Sequence, residues 1–240
     1  MKEKILAIIP ARSGSKGLKD KNILEVEGRP LIDFTIKAAL NSNCFDTVMV
    51  STDSFLYSEI AKKCGADVPF LRSLKNSLDA STSWDVVREV LTNYKQRGKK
   101  FDYVALLQPT SPLRTENDII EAIRILTKNK NINSVVSVTE VDHPIQWCFK
   151  LKDDNLMKEF GSNSDSFKRR QELEKYYREN GALYLVDAEK IMDREYNVYL
   201  DNCFAYVMSR ENSIDIDEEL DLFILKSILK KGGISKSVKD

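Results

Sequence analysis

The sequence predicts an α/β protein with a doubly wound, mostly parallel sheet, and three observations carry that expectation. Short β-branched runs alternate with amphipathic stretches up to about residue 140. Some of those runs are apolar at every position, as strands covered on both faces must be. A charged, glycine-containing loop follows the first strand directly, where an open α/β sheet holds its ligand.

Taken in order, "KILAIIP" reads as a strand ended by Pro10, and "LIDFTIKAALNS" as a helix. "TVMVSTD" is the next strand, and "FLYSEIAKKCG" is a helix closed by Gly65. A short strand is expected near "VPFL", which would send Arg72 out of a strand end. The helix "SWDVVREVLTNYKQRG" could take Ser83 as its N-cap. The strand "YVALLQ" leads to "TENDIIEAIRILTKN", where Thr115 and Asp118 have capping-box spacing. "SVVSVTEV" is again a strand.

After about residue 140 the rhythm breaks. Trp147, Phe149, Phe160 and Phe167 have no period that fits a local core. Residues 1–240 are expected to form one domain, with 140–180 an insertion that mediates dimerisation and closes a pocket. The α/β pattern returns with "GALYLVD", "CFAYVMS" and the helix "DEELDLFILKSILKK", on which Asp221 reads as a surface residue.

Lys plus Arg equals Asp plus Glu at 37 each, so no global field recruits nucleic acid or membrane. The N-terminus lacks a signal-peptide cleavage pattern, and no segment approaches a membrane-spanning length. The four cysteines form no C-x-x-C pair, so a cytoplasmic protein without zinc or disulfides is expected. The single histidine, His143, adjoins Pro144 and reads as a turn or interface residue. Chemistry therefore falls to Arg, Lys and carboxylates.

The loop "ARSGSKGLKDKN" admits several readings. A P-loop is absent, because Lys16 is followed by Gly17, and Gly14 and Gly17 supply only part of a dinucleotide fingerprint. A solvated basic turn would account for the charge alone. A nucleotidyltransferase loop would wrap a triphosphate in backbone N–H groups while Arg12, Lys16 and Lys21 neutralise phosphoryl oxygens. In "LLQPTSPLR", the Gln108 amide can donate and accept, which suits a hydroxylated substrate. Arg114 is available to bind an anion or to close the loop, and Pro109 and Pro112 stiffen the turn. In "SIDIDEELD", Asp215 and Asp217 share one face if the chain is extended, with Ile214 and Ile216 on the other. Two such carboxylates can hold Mg²⁺, although Asp217 could instead cap the last helix.

The blocks "IIPARSGSKGLKDKNI", "VSTDS", "LLQPTSPLR", "NGALYL" and "SIDIDEELDL" occur in this order. Together they resemble the N-acylneuraminate cytidylyltransferases, the CMP-sialic acid synthetases, over nearly the whole chain. The resemblance implies a nucleotide-diphospho-sugar transferase-like, Rossmann-like fold. It implies transfer of CMP from CTP to the anomeric hydroxyl of an acidic nine-carbon sugar, N-acetylneuraminic acid first, with release of pyrophosphate. It further implies a homodimer and Mg²⁺, which Mn²⁺ can replace.

By the same resemblance Ala11, Arg12, Ser15, Lys16, Lys21, Asn22, Arg72 and Ser83 bind the nucleotide. Gln108, Arg170 and Arg178 bind the sugar, and Asp215 and Asp217 hold the metal. Arg12, Lys16, Lys21 and Asp215 carry the catalysis. Two departures leave the sugar open. Arg178-Glu179-Asn180-Gly181 replaces the usual Arg-Pro-Asn-Gly, and Gln146 stands where some sialic acid enzymes carry Lys. Legionaminic, pseudaminic and ketodeoxy-octulosonic acids are the alternatives. A non-catalytic nucleotide-binding or dimerisation module is the alternative of another class.

Overall fold

The first strand, Ile5–Pro10 (β1), explains why the chain needs cover on both sides. Ile5, Ala7 and Ile9 join one apolar cluster, while Leu6 and Ile8 join another. That is the two-residue period of a strand read out on opposite faces. In the computed structural model, which describes residues 3–14, 17–159, 168–200 and 202–237, both clusters are closed by helices.

After β1 come the short paired strands Glu25–Val26 (β2) and Arg29–Pro30 (β3), then helix Leu31–Asn41 (α1). Thr47–Ser51 (β4) leads to Phe55–Lys63 (α2), and Ser83–Gln96 (α3) to Tyr103–Leu106 (β5). Glu116–Lys128 (α4) precedes Ser134–Glu140 (β6). A hairpin of Phe149–Leu151 (β7) and Met157–Glu159 (β8) stands apart from the main sheet. Tyr177–Asp187 (β9), Cys203–Val207 (β10) and Glu219–Ser237 (α5) finish the chain.

The main sheet runs β10-β6-β9-β5-β1-β4. β1 is parallel to β4 and β5, and β10 is parallel to β6; β9 alone runs antiparallel, between β5 and β6. The expected doubly wound, mostly parallel architecture is thus the observed one. α1, α2 and α4 pack on one face through Ile36, Ala61 and Ile119, and α3 on the other through Val87 and Val90. A third cluster ties Leu222 and Leu225 of α5 to Val26, Leu31 and Phe34. Fully burying each large aliphatic side chain contributes roughly 1.5–3 kcal/mol.

Three local expectations change. "VPFL" is not a strand: Asp67 bridges Met49, but Pro69 has no N–H to continue a ladder. Arg72 therefore leaves an irregular stretch, tied back by its own N–H to the Thr52 carbonyl at 2.8 Å. Thr82, not Ser83, caps α3 in a reciprocal box with Asp85. Thr115 and Asp118 form the expected box on α4. Finally, Tyr177–Asn180 belong to the start of β9, so the end of segment 140–180 is part of the main sheet.

Candidate active site

β1 lies between β4 and β5 with all three parallel, so the loops that leave their carboxyl ends converge. They border a cleft of about 400 Å³ lined by Arg12, Lys21 and Asn22 together with Arg72, Ser83, Gln108 and Asp217. Residues far apart in sequence are thereby gathered at one opening.

The first loop is held by groups that charge alone would not reveal. Asp53 accepts from the Ser13 N–H at 2.8 Å and from its hydroxyl at 2.9 Å. Tyr57 donates to Asp20 at 2.9 Å, and the buried Asn22 amide donates to the Arg12 carbonyl at 3.3 Å. A Cβ on Gly17 would stand 2.7 Å from the Asp217 carbonyl oxygen, so glycine lets the loop touch the acidic segment. Ala11 is buried and its N–H donates to the Ser51 carbonyl at 2.9 Å; Pro10 and Arg12 form the cleft wall there. Ser15 and Lys16 lie outside the described residues.

Both described cations of the predicted catalytic set are in ion pairs. Arg12 Nη1 lies 2.7 Å from Asp79 and donates to the Ser77 carbonyl at 3.4 Å. Lys21 Nζ lies 2.7 Å from Asp217, its side chain only 12% exposed against 71% for the aspartate. A polyanion bound in the cleft would compete with both carboxylates for these donors. Asp79 had no sequence signal, since nothing local announces that its loop folds back onto Arg12.

Arg72 is buried, with Nε 3.0 Å from Ser51 Oγ and Nη2 2.5 Å from the Ser51 carbonyl. Burial pulls its pKa down to about 10, against the opposing charges of Asp53 and Glu89, so it stays charged at neutral pH. Ser83 is relieved of capping duty by Thr82 and lines the cleft. Arg114 closes its loop: Nη1 donates to the carbonyls of Ala182 at 2.5 Å and Gln108 at 3.3 Å. It is 2% exposed, so it is not presented to an external anion as the sequence had allowed.

The acidic segment is anchored by Ile216, whose side chain is fully buried and whose N–H donates to the Thr110 carbonyl at 2.8 Å. Asp215 Oδ1 is buried without a hydrogen-bond partner. Burial is the main reason its carboxyl is raised above the ordinary range; Asp217 and Asp221 push the same way, and Thr110 and Lys21 oppose. Asp217 does not cap α5. Asp221 does the bracing, accepting from the N–H groups of Asp217 at 2.9 Å and Glu218 at 2.8 Å.

Asp215 and Asp217 are the residues that could hold a divalent cation, because a buried carboxylate oxygen without a donor is what a cation would satisfy. Among the described residues no group of three or more His, Cys, Asp or Glu could hold one alone.

Residues 6–227 match the family described as Cytidylyltransferase. The chain belongs to this family. The N-acylneuraminate cytidylyltransferase of Escherichia coli O18:K1:H7 is 36% identical over 231 residues, covering 96% of this chain and 53% of that protein. The chain thus spans about half the length of that relative and of its Streptococcus agalactiae counterpart. The CMP-N,N'-diacetyllegionaminic acid synthase of Legionella pneumophila is 36% identical, covering 95% of this chain and 97% of that one. The pseudaminic acid cytidylyltransferase of Campylobacter jejuni is 33% identical, with the same coverage of both chains. Among solved structures, CMP:2-keto-3-deoxy-manno-octonic acid synthetase complexed with CTP superposes with a TM-score of 0.72 over 95% of this chain and 99% of that one. At 15% identity that likeness concerns the fold.

Gln108 and Gly181 are in close approach. Gly181 has φ +73°, and a Cβ there would stand 3.0 Å from Gln108 Oε1. Gly181→Ala is expected to cost about 1–2 kcal/mol through the left-handed backbone and to displace Gln108. The check is a lower chemical denaturation midpoint with an unchanged slope. Arg170 and Arg178, by contrast, are exposed and do not line the cleft within one chain. Arg178 pairs with Thr139 of β6, beyond the part of β9 that pairs with β5.

Proposed function

We propose that this cytidylyltransferase transfers CMP from CTP to the anomeric hydroxyl of a nonulosonic acid, releasing pyrophosphate. The observation that carries the reading is the convergence of Arg12 and Lys21 with Asp217 and Gln108 around one cleft. The sugar hydroxyl attacks the α-phosphorus, and the bond to the bridging oxygen of pyrophosphate breaks. Negative charge grows on the non-bridging and leaving oxygens, so catalysis is positioning and charge neutralisation. Arg12 and Lys21 turn from their aspartates to the phosphates, and Gln108 orients the hydroxylated acceptor. Asp215 and Asp217 would hold Mg²⁺, which when bound neutralises charge on the phosphate oxygens. Lys16 and Ser15 keep the triphosphate-loop role that the resemblance implies.

The acidic acceptor is supported by the names of the relatives. They are named for N-acylneuraminate, legionaminic acid and pseudaminic acid, so N-acetylneuraminic acid stands beside these as a candidate acceptor. The test is pyrophosphate release from CTP and Mg²⁺ with each acid sugar in turn. Release that requires one of them supports the reading; none with any sugar refutes it.

Arg170 and Arg178 fit this reading if a second copy presents them to the cleft. The surface offers apolar area for such a pairing. Phe149, Leu151 and Met157 are exposed on the β7–β8 hairpin, and Phe204 and Val207 on the edge strand β10. Phe160 and Phe167 lie outside the described residues. Sedimentation at micromolar concentration is expected to give a homodimer, and Phe204→Asp with Val207→Asp to shift it toward monomer. A fully active monomer would contradict the shared pocket.

A further inference from the structure

Burying a guanidinium costs free energy unless its donors are met, and Arg114 is buried behind the cleft wall. Burial pulls its pKa down to about 10, with the Asp118 charge opposing, so it remains a cation at neutral pH. Among the described residues its Nε and Nη2 have no hydrogen-bond partner. Nη1 does the bonding, reaching the Ala182 carbonyl at 2.5 Å and the Gln108 carbonyl at 3.3 Å. An apolar side chain of similar volume would fill this space as well or better. It could not join those two carbonyls.

The two carbonyls belong to segments that meet at the cleft. Gln108 lines it and opens the turn that runs to Ser111, whose N–H reaches the Gln108 carbonyl at 3.3 Å. The Thr35 hydroxyl of α1 is a long donor to the same carbonyl, at 3.5 Å. Ala182 follows Gly181, where a Cβ would stand 3.0 Å from Gln108 Oε1 and 3.8 Å from Ser111 Oγ. One nitrogen of Arg114 therefore sets the spacing between β9 and the Gln108 amide that abuts it. The far side of the turn has an anchor of its own, since the Thr110 carbonyl takes the Ile216 N–H at 2.8 Å. The clamp thus bears on Gln108 more than on the acidic segment.

We infer that Arg114 is a positioning residue for the acceptor: by holding the Gln108 and Ala182 carbonyls together it fixes the Gln108 amide against the hydroxylated sugar. The inference rests on the proposed function and adds that binding of the acid sugar depends on a side chain that never touches it. Lysine is a poor substitute there, because a point charge on a flexible stem lacks the fixed geometry of the guanidinium.

The test is steady-state pyrophosphate release by wild type, Arg114→Lys, Gln108→Ala and the double variant, with CTP and the acid sugar varied in turn. Arg114→Lys is expected to raise the KM of the sugar about tenfold while the KM of CTP stays within about twofold. In the Gln108→Ala background the same replacement should add less than about twofold, because the group it positions is gone. Arg114→Met, which fills the space without the charge, should show the same acceptor-confined loss and serves if the lysine variant folds poorly. Wild-type kinetics in Arg114→Lys, or equal losses for CTP and sugar, would overturn the assignment while leaving the reaction standing. So would a full effect of Arg114→Lys beside Gln108→Ala, or failure of both Arg114 variants to fold, which would make the residue a structural prop. No turnover by wild type with any acid sugar would overturn the proposed function and this assignment with it.

Discussion

Asp215→Asn is expected to lower turnover about a thousandfold and, at neutral pH, to raise the melting temperature. The first effect follows from the proposed metal site, where Asn keeps the shape and removes a hard anionic ligand. The second follows from the carboxylate's surroundings. Oδ1 is buried without a donor, and burial raises the folded-state pKa, with Asp217 and Asp221 adding to the effect. The folded chain therefore holds this proton more tightly than the unfolded chain does. Ionisation penalises folding as pH rises through the folded pKa, and the penalty is absent below the unfolded value of about 3.9. The melting advantage of the Asn variant should accordingly be present at pH 7 and close as pH falls toward about 4. Asp217→Asn should also abolish turnover, and the double variant should be scarcely worse than either single one. Thermal melts across pH, paired with single-turnover rates, check both halves. Normal turnover in either single variant at limiting Mg²⁺ would remove the metal assignment.

Lys21→Met is expected to cut kcat/KM for CTP by roughly a hundredfold with little change in melting temperature. Its side chain is mostly covered, so methionine preserves the packed stem while deleting the ammonium. The partner left behind, Asp217, is largely solvated and tolerates the loss. Arg12→Ala should show a loss of the same order, because its Asp79 and Ser77 partners lie on a surface loop rather than in the core. Activity matching wild type in either variant would move the triphosphate site elsewhere.

Much of the fold was legible because burial on both faces leaves a plain mark. β1, β4 and β5 are nearly continuous apolar runs, and the Thr115–Asp118 spacing announced its helix. The direction of β9 was not legible, since periodicity reports which face is buried and not which way a neighbour runs. "VPFL" misled because its residues are strand formers, while Pro69 removes the donor that a ladder needs. Of the residues that line the cleft, Arg12, Lys21, Gln108 and Asp217 were singled out from residue type and position after a strand or before a helix, and Asn22 through the family resemblance alone. Asp53, Asp79 and the bracing role of Asp221 were missed, because each acts through a contact set by the folding of its loop rather than by spacing. Ser83 was one residue out as a cap, and from the first position of α3 it lines the cleft.

In the proposed reaction a sugar hydroxyl attacks the α-phosphorus of CTP in the Arg12–Lys21–Asp217 cleft. Phosphorus NMR of wild-type protein mixed with CTP, Mg²⁺ and an acid sugar tests it most directly. The triphosphate signals are expected to give way to one phosphodiester and an equal amount of pyrophosphate, only when the sugar is present. CTP left intact with every sugar, or cleaved to CMP without forming the phosphodiester, would contradict it.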